Sequence, residues 1–391
     1  MTHPSTSARA VFLAERPRNR MFTLASRYPD VIGLGRGDPD LATAPHIIEA
    51  AHKAAREGQT HYTPTLGIMP LREALSAKLR EENGVQFSVD EVLVTTGGQE
   101  AVNLIMQALL DPGDEVIIPN PSYGTYALAA HLAGGTPVMV PLDRAAGFAL
   151  DVAEIERRVT PRTKAIAVVS PNNPTGTVQT RAALEGIADI ARRHDVLVIS
   201  DEIYEKILFD GAVHHSIASF ADMRDRTIIV NGVSKAYSMT GWRVGWMAAP
   251  RPLMVGMQAV KDTWAICTPA PNQWAALAAV TGPQDCVAET LATYTRRRQW
   301  LMDGLRTAGL SWAPHGGSMF FFVDIAASGL SSEAFCVGLL EQERVLTYPG
   351  SEFGPVGDGF IRMTMLAPDP RFREAVDRFV RFVRQPARPR T

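Results

Sequence analysis

Four short apolar runs constrain this chain more than any other feature. They are "DEVIIP" (Asp114–Pro119), "AIAVVS" (Ala165–Ser170), "VLVIS" (Val196–Ser200) and "TIIVN" (Thr227–Asn231). Each is rich in β-branched residues, lacks polar alternation and is bounded by turn signals. That pattern predicts strands buried on both faces, as in a parallel sheet. Amphipathic helical stretches lie between them, such as "RAALEGIADIARRHD" before the third run. Strand and helix alternating from about Leu41 to Val280 predicts a three-layer α/β domain around a mostly parallel sheet.

Past Asp285 the pattern changes. A long charged helical stretch, "VAETLATYTRRRQWLMDGLRTAGL", precedes a strand-like "SMFFFVDI", a further helix, a loop and the strand "FIRMTML". This predicts a smaller α+β domain over 286–391, ending in a frayed tail, "RQPARPRT". The large α/β domain is expected over 41–285. Residues 1–40 are too few for a core of their own and are expected to pack on the small domain.

The 391 residues carry a net charge of −2, with 46% hydrophobic and 20% charged residues. That balance gives no reason to expect nucleic acid or an anionic membrane as partner. No run approaches the ~20 apolar residues of a membrane-spanning helix. The opening "MTHPSTSARAVFLAERPRNR" lacks the organisation of a secretory signal. The three cysteines, Cys267, Cys286 and Cys336, have no metal-ligand spacing and read as free thiols in a reducing cytoplasm. The pair His214-His215 follows a turn-like "FDGAV" and is not read as a metal site; no metal is expected.

In an open α/β sheet, ligands gather beyond the carboxyl ends of the strands. After "AIAVVS" comes "PNNPTG"; after "VLVIS" comes "DEIY"; after "TIIVN" comes "GVSKAYSMTGWRVGW". Taken singly, each has a plain structural explanation. Asn-Pro-Thr-Gly is an ordinary turn, and Asp-Glu after a strand suits a helix N-cap. Lys235 is harder to dismiss, since it follows a buried strand among small and apolar neighbours. Partial desolvation there lowers a lysine pKa and favours the neutral, nucleophilic amine. A lysine that attacks carbonyls, with an aspartate to partner a pyridinium nitrogen, fits a Schiff-base site for pyridoxal phosphate.

From "GDPD" near residue 38 to "FIRMTM" near residue 362, the chain resembles the class I/II aminotransferases, fold-type I pyridoxal-phosphate enzymes of the aspartate aminotransferase kind. "SKAYSMTGWRVG", "SPNNPTG" and "SDEIY" carry the resemblance. It implies that Lys235 bears the cofactor and acts as acid and base, that Asp201 binds the pyridine nitrogen, and that Tyr204 and Asn173 reach the 3′-oxygen. Ser234, Arg243, Gly98 and Gln99 would hold the phosphate, the last two at a helix start that favours anions. Tyr123 falls where the family stacks an aromatic ring on the cofactor. Tyr62, in "THYTPTLG", matches a tyrosine that reaches a neighbouring subunit's phosphate, which implies a homodimer with shared sites. For both tyrosines the plain alternative is half-buried packing.

Arg362 matches the arginine that grips the substrate α-carboxylate, where a planar fork serves better than an ammonium; the alternative is a salt bridge inside the small domain. "GLGRGDPD" matches the segment that puts Gly37 beside the substrate, with Asp38 in place of the commoner glutamate. Arg36 departs from the small or apolar residue usual before that glycine. Either it faces the pocket and pairs with an acidic substrate side chain, or it pairs with Asp38, Asp40 or a nearby carboxylate. The resemblance implies ping-pong transfer of an amino group between an L-amino acid and a 2-oxo acid. The alternative is β- or γ-elimination on the same scaffold. "DTWAICTPAPNQW" (Asp262–Trp274) contains no second arginine of the kind that dicarboxylate-specific members often add. A dinucleotide-binding reading of the early glycines fails, because G-x-G-x-x-G between a strand and a helix is absent there. A regulator with a fused DNA-binding domain would need more than the roughly thirty residues that precede the resemblance.

Overall fold

A computed structural model describes residues 6–14 and 16–385; most of the tail expected to fray, Pro386–Thr391, lies outside the described residues. In chain order the strands are β1 (Ile32–Gly33), β2 (Val92–Thr95), β3 (Glu115–Asn120), β4 (Thr136–Pro141), β5 (Thr163–Val169) and β6 (Leu197–Asp201). They continue with β7 (Thr227–Gly232), β8 (Gly245–Ala248), β9 (Phe320–Asp324), β10 (Val345–Leu346), β11 (Tyr348–Pro349) and β12 (Phe360–Thr364).

Seven of these make one sheet in the order β2-β8-β7-β6-β5-β3-β4. Neighbours pair in parallel except around β8, which runs antiparallel to both β2 and β7. The four apolar runs became β3, β5, β6 and β7. Val198, Ile199 and Ile228–Val230 are essentially inaccessible to solvent, which is why no polar alternation marks them.

Helices cover both faces. On one, the helices Gly98–Leu109, Thr125–Leu132 and Arg251–Trp264 bury Leu104, Ile105, Tyr126, Met254 and Met257 against the strands. On the other, helix Arg181–His194 contributes Leu184, Ile187 and Ile190, and helices Pro45–Arg56, Met69–Glu82 and Ala270–Thr281 pack toward the β2 edge. Helix Arg181–His194 begins at Thr180, whose hydroxyl caps Ala183 N–H, and ends with Asp195 in the left-handed region.

A second, antiparallel sheet in the order β11-β12-β9 stands beside the large one, with helices Asp285–Ala308, Ser332–Glu343 and Asp369–Arg384 around it. Its inner face is aromatic: the Phe322 and Phe360 rings stack at 4.7 Å, and Phe148 packs edge-on against both. β1 pairs in parallel with β10, Ile32 opposite Val345, so chain before residue 40 is hydrogen-bonded to chain after residue 340. The strand ends after β2, β3, β5, β6 and β7 therefore open on a cleft roofed by β11 and β12.

Candidate active site

The cleft encloses a cavity of about 650 Å³. Its floor is built from strand ends. Asp201 is the last residue of β6, Asn173 follows β5, Tyr123 follows β3, and Ser234 and Lys235 follow β7. Gly37, Arg36 and Arg362 form its other side, brought over by the early loop and by β12. Every site residue expected from the sequence lines this cavity except Tyr62, which is 81% exposed on its own chain.

Lys235 Nζ donates to the Gly37 carbonyl at 2.6 Å. Burial, and then the nearby Arg362 charge, pull its pKa down to about 8. The neutral, nucleophilic amine is therefore far more accessible than in an ordinary lysine, although the ammonium still predominates at pH 7. Gly37 is tightly constrained: a Cβ there would lie 2.9 Å from the Phe320 ring and 3.8 Å from Lys235 Nζ.

Asp201 is buried, which raises its pKa to about 6, although it accepts from Tyr126 Oη at 2.9 Å and from Ile203 N–H at 3.2 Å. Such a carboxylate gains from a cation placed against it. Tyr204 is buried edge-on to Phe320 at 5.6 Å, and burial with the Asp201 charge raises its pKa.

The other end of the cavity is a cradle of backbone and guanidinium. Gly97 caps helix Gly98–Leu109 at φ +81°, and a Cβ there would run into the Arg243 guanidinium. Gly245 leaves equally little room, since its Cβ would lie 2.6 Å from Gly98 N. Gly98 and Gln99 thus line the cavity at a first helical turn, where N–H groups lack intrahelical partners. Arg243, itself left-handed at φ +54°, is held by the Thr240 carbonyl at 2.8 Å. With the Ser234 hydroxyl, these donors suit a phosphate.

Arg362 is 5% exposed. Its Nη1 donates to Asn173 Oδ1 at 2.9 Å and its Nη2 to the Gly35 carbonyl at 2.5 Å, while Nε is buried with no hydrogen-bond partner among the described residues. Phe320, Phe353 and Tyr348 surround the guanidinium at 4.2, 4.7 and 5.2 Å from their ring centroids. Among the described residues no carboxylate pairs with it. Burial draws its pKa down to about 10, so it remains a cation at neutral pH, prepared for an anion.

Arg36 occupies the rim, its side chain 69% exposed, with Nε 3.7 Å from Asp38 and the guanidinium 5.9 Å from the Phe22 ring. It lines the cavity and contacts Asp38 at once. Asp38 also accepts from the Thr240 hydroxyl.

A buried lysine of lowered pKa, a buried carboxylate, a glycine-lined helix start beside Arg243 and an arginine with no carboxylate partner among the described residues thus face one space. The family model for aminotransferase class I and II matches residues 29–379. The chain belongs to the class I and II aminotransferases. It is 38% identical to aromatic-amino-acid aminotransferase 2 of Thermococcus litoralis, over 94% of this chain and 95% of that protein. It is 39% identical to an aspartate aminotransferase of Pyrococcus abyssi, again over 94% and 95%. The crystal structure of an aromatic aminotransferase from Pyrococcus horikoshii superposes with a TM-score of 0.88 at 40% identity, covering 92% of this chain and 98% of that one. The fold is that of the aspartate aminotransferases, and the protein is an aminotransferase enzyme. The elimination alternative draws no support from these relatives.

Several residues of this aminotransferase site carry no sequence signal of their own. Phe320 looks like core in "SMFFFVDI", and Tyr348 begins the two-residue β11, which no sequence motif marks. Arg16 and Glu352 form an ion pair on the cavity wall across 336 positions. Tyr126 lies three residues after Tyr123, a spacing that could have put both on one helical face.

Proposed function

We propose that this aminotransferase holds pyridoxal 5′-phosphate in the cleft and moves an amino group between an L-amino acid and a 2-oxo acid in two half-reactions. The observation that carries the reading is the co-location of Lys235, Asp201 and the Gly98–Arg243 cradle in one cavity, with the unpaired Arg362 opposite. When bound, the cofactor supplies an electron sink for charge developing at the substrate α-carbon. Asp201 would face the ring nitrogen and Tyr123 a ring face, while Asn173 and Tyr204 would reach the 3′-oxygen. The cradle donors Gly98, Gln99, Ser234 and Arg243 would hold the phosphate.

Arg362 would grip the α-carboxylate and orient the α-hydrogen toward Lys235, whose Nζ takes and returns that proton. The amino group would stay with the enzyme while the first 2-oxo acid leaves and the second binds, which gives ping-pong kinetics, and Lys235 would serve as base in both half-reactions.

A homodimer with shared sites fits the exposure of the large apolar side chains Tyr62, Met69, Trp264 and Ile266. The Thr65 hydroxyl bonds Asp262 at 2.8 Å and ties the loop after Tyr62 to the helix ending at Trp264. A cytoplasmic setting fits three unpaired cysteines. The names of the relatives, two aromatic and one aspartate, leave the side chain to be assigned by assay, and Arg36 is the group at the rim for an acidic one.

Purified protein given pyridoxal phosphate should gain a visible absorption band that Lys235→Ala removes. A panel of amino donors and 2-oxo acids, with ammonia measured in parallel, tests the reaction. Absence of the band in the wild type overturns cofactor binding, and ammonia release without amino transfer overturns the reaction.

A further inference from the structure

Immediately after Asp201, the chain turns a second carboxylate away from the cleft. The Glu202 side chain is wholly buried. It accepts from the Ser200 hydroxyl at 2.8 Å, the Ser216 hydroxyl at 2.7 Å and Asn83 Nδ2 at 3.0 Å. His214 Nε2 lies 3.3 Å from it, off the line of a good hydrogen bond, and among the described residues neither imidazole nitrogen has another hydrogen-bond partner. The His214 side chain is itself 9% exposed.

A second acid, Glu205, completes the cluster and accepts from Asn231 Nδ2 at 2.8 Å and Asn83 Nδ2 at 2.7 Å. Ligand atoms of Glu202, Glu205 and His214 all lie within 4.8 Å of one another, as around a metal. The cation already there is an ammonium: Lys78 Nζ bonds Glu205 and, at 2.7 Å, Asn83 Oδ1. Glu82 lies 3.4 Å from Lys78 and pairs with Lys206 at 2.9 Å nearer the surface, and the Tyr237 phenol is tied to Gln284 at 2.9 Å.

The charges in this pocket do not balance without the imidazole. Glu202 and Glu205 contribute two negative charges and Lys78 one positive, with Glu82 and Lys206 cancelling each other outside. An uncompensated charge so close to Asp201 acts through protein, where screening is weak. We propose that His214 is a positioning residue for Asp201: it carries the charge that balances Glu202 and so keeps the field behind the cofactor-facing carboxylate neutral. Burial works against a charged imidazole, but contact with Glu202, and then the Glu205 charge, raise the His214 pKa above its usual value. Glu202 in turn raises the pKa of Asp201, which is the coupling this assignment needs.

The inference rests on the pyridoxal phosphate reading, and one titration separates the two. The visible band of the holoenzyme is followed against pH. His214→Gln leaves Glu202 unbalanced, and the added negative field should raise the midpoint by roughly 0.5 to 1 unit. Glu202→Gln removes a negative charge and should lower it. The double variant should return close to wild type. Opposite shifts report charge, whereas a packing role would move both variants alike or change only thermal stability. Should His214→Gln fail to fold, the near-isosteric Glu202→Gln carries the test alone. A band whose midpoint does not move, or moves the same way in both variants, overturns the inference and leaves the cofactor reading standing. No band in the wild type overturns both.

Discussion

Arg362 on β12 donates to the side-chain oxygen of Asn173 at 2.9 Å, although the two residues lie 189 positions apart. The bond joins the antiparallel sheet to the loop at the carboxyl end of β5. One contact therefore ties the buried Arg362 guanidinium to the floor that holds Lys235 and Asp201. Asn173 can do this because its backbone is part of a buried turn after a buried strand, and a side-chain amide accepts without adding charge.

Arg362→Lys should cost ~10²-fold or more in kcat/KM for any amino donor. An ammonium keeps the charge but cannot bond Asn173 and Gly35 and still present a fork to a carboxylate. Steady-state kinetics with several donors check this; a loss confined to donors of one side-chain class would point to a role in side-chain selection instead.

Tyr126→Phe should weaken cofactor affinity by roughly five- to tenfold, the effect of losing one hydrogen bond worth ~1 kcal/mol. The phenol now donates to Asp201 at 2.9 Å and favours its charged form against burial. Without it the carboxyl holds its proton to higher pH, so the loss should be larger at pH 6 than at pH 8. Equilibrium binding of pyridoxal phosphate at the two pH values tests the direction.

Much of this arrangement was legible in the sequence because strand ends announce themselves. β3, β5, β6 and β7 are buried on both faces, so their sequences are unbroken apolar runs, and the residues after them are catalytic candidates by topology alone. β2, β4 and β8 carry no comparable signal. β8 is four residues long and leaves the Arg243 turn with almost no punctuation, and β4 is an edge strand containing two prolines. The partners that steady the site were less visible still. Tyr126 on Asp201, Glu352 on Arg16 and Thr240 on Asp38 are contacts across long separations between residue types common in any core or surface. In the sequence His214 merely follows a turn-like "FDGAV", and only the fold brings it to Glu202.

Tyr62 supplies the test of shared sites. It is 81% exposed and outside its own chain's cavity, so a role in catalysis requires a second subunit. Tyr62→Phe should weaken cofactor binding, and mixing it with Lys235→Ala subunits should regenerate one intact site in each mixed dimer. Activity of the mixture above the sum of the parents, with a dimer by light scattering, is the expected outcome.

Arg36→Ala should lower kcat/KM for acidic donors selectively, by up to ~10-fold, and change fold stability little. Its pairing with Asp38 is long and largely exposed, and such pairs contribute ~1 kcal/mol or less. Comparing aspartate, alanine and phenylalanine as donors decides the matter, since an equal loss on all three would mean that Arg36 only shapes the rim.

Lys235 should make the cofactor-free protein's stability depend on pH in an unusual direction. Its pKa in the fold is about 8, below that of an unfolded lysine. Between those two values the unfolded chain binds the proton and the folded chain does not, so this residue's contribution to stability rises with pH. Below pH 8 the folded protein bears the full cost of an ammonium held close to Arg362. Apo Lys235→Met should therefore unfold at a higher temperature than apo wild type at pH 7. The gap should narrow as pH climbs through 8 and toward 10, as the wild-type amine loses its proton. Thermal unfolding of both apo proteins across that range is the measurement. A gap that stays constant with pH would show that the variant gains from packing rather than from relief of a buried charge.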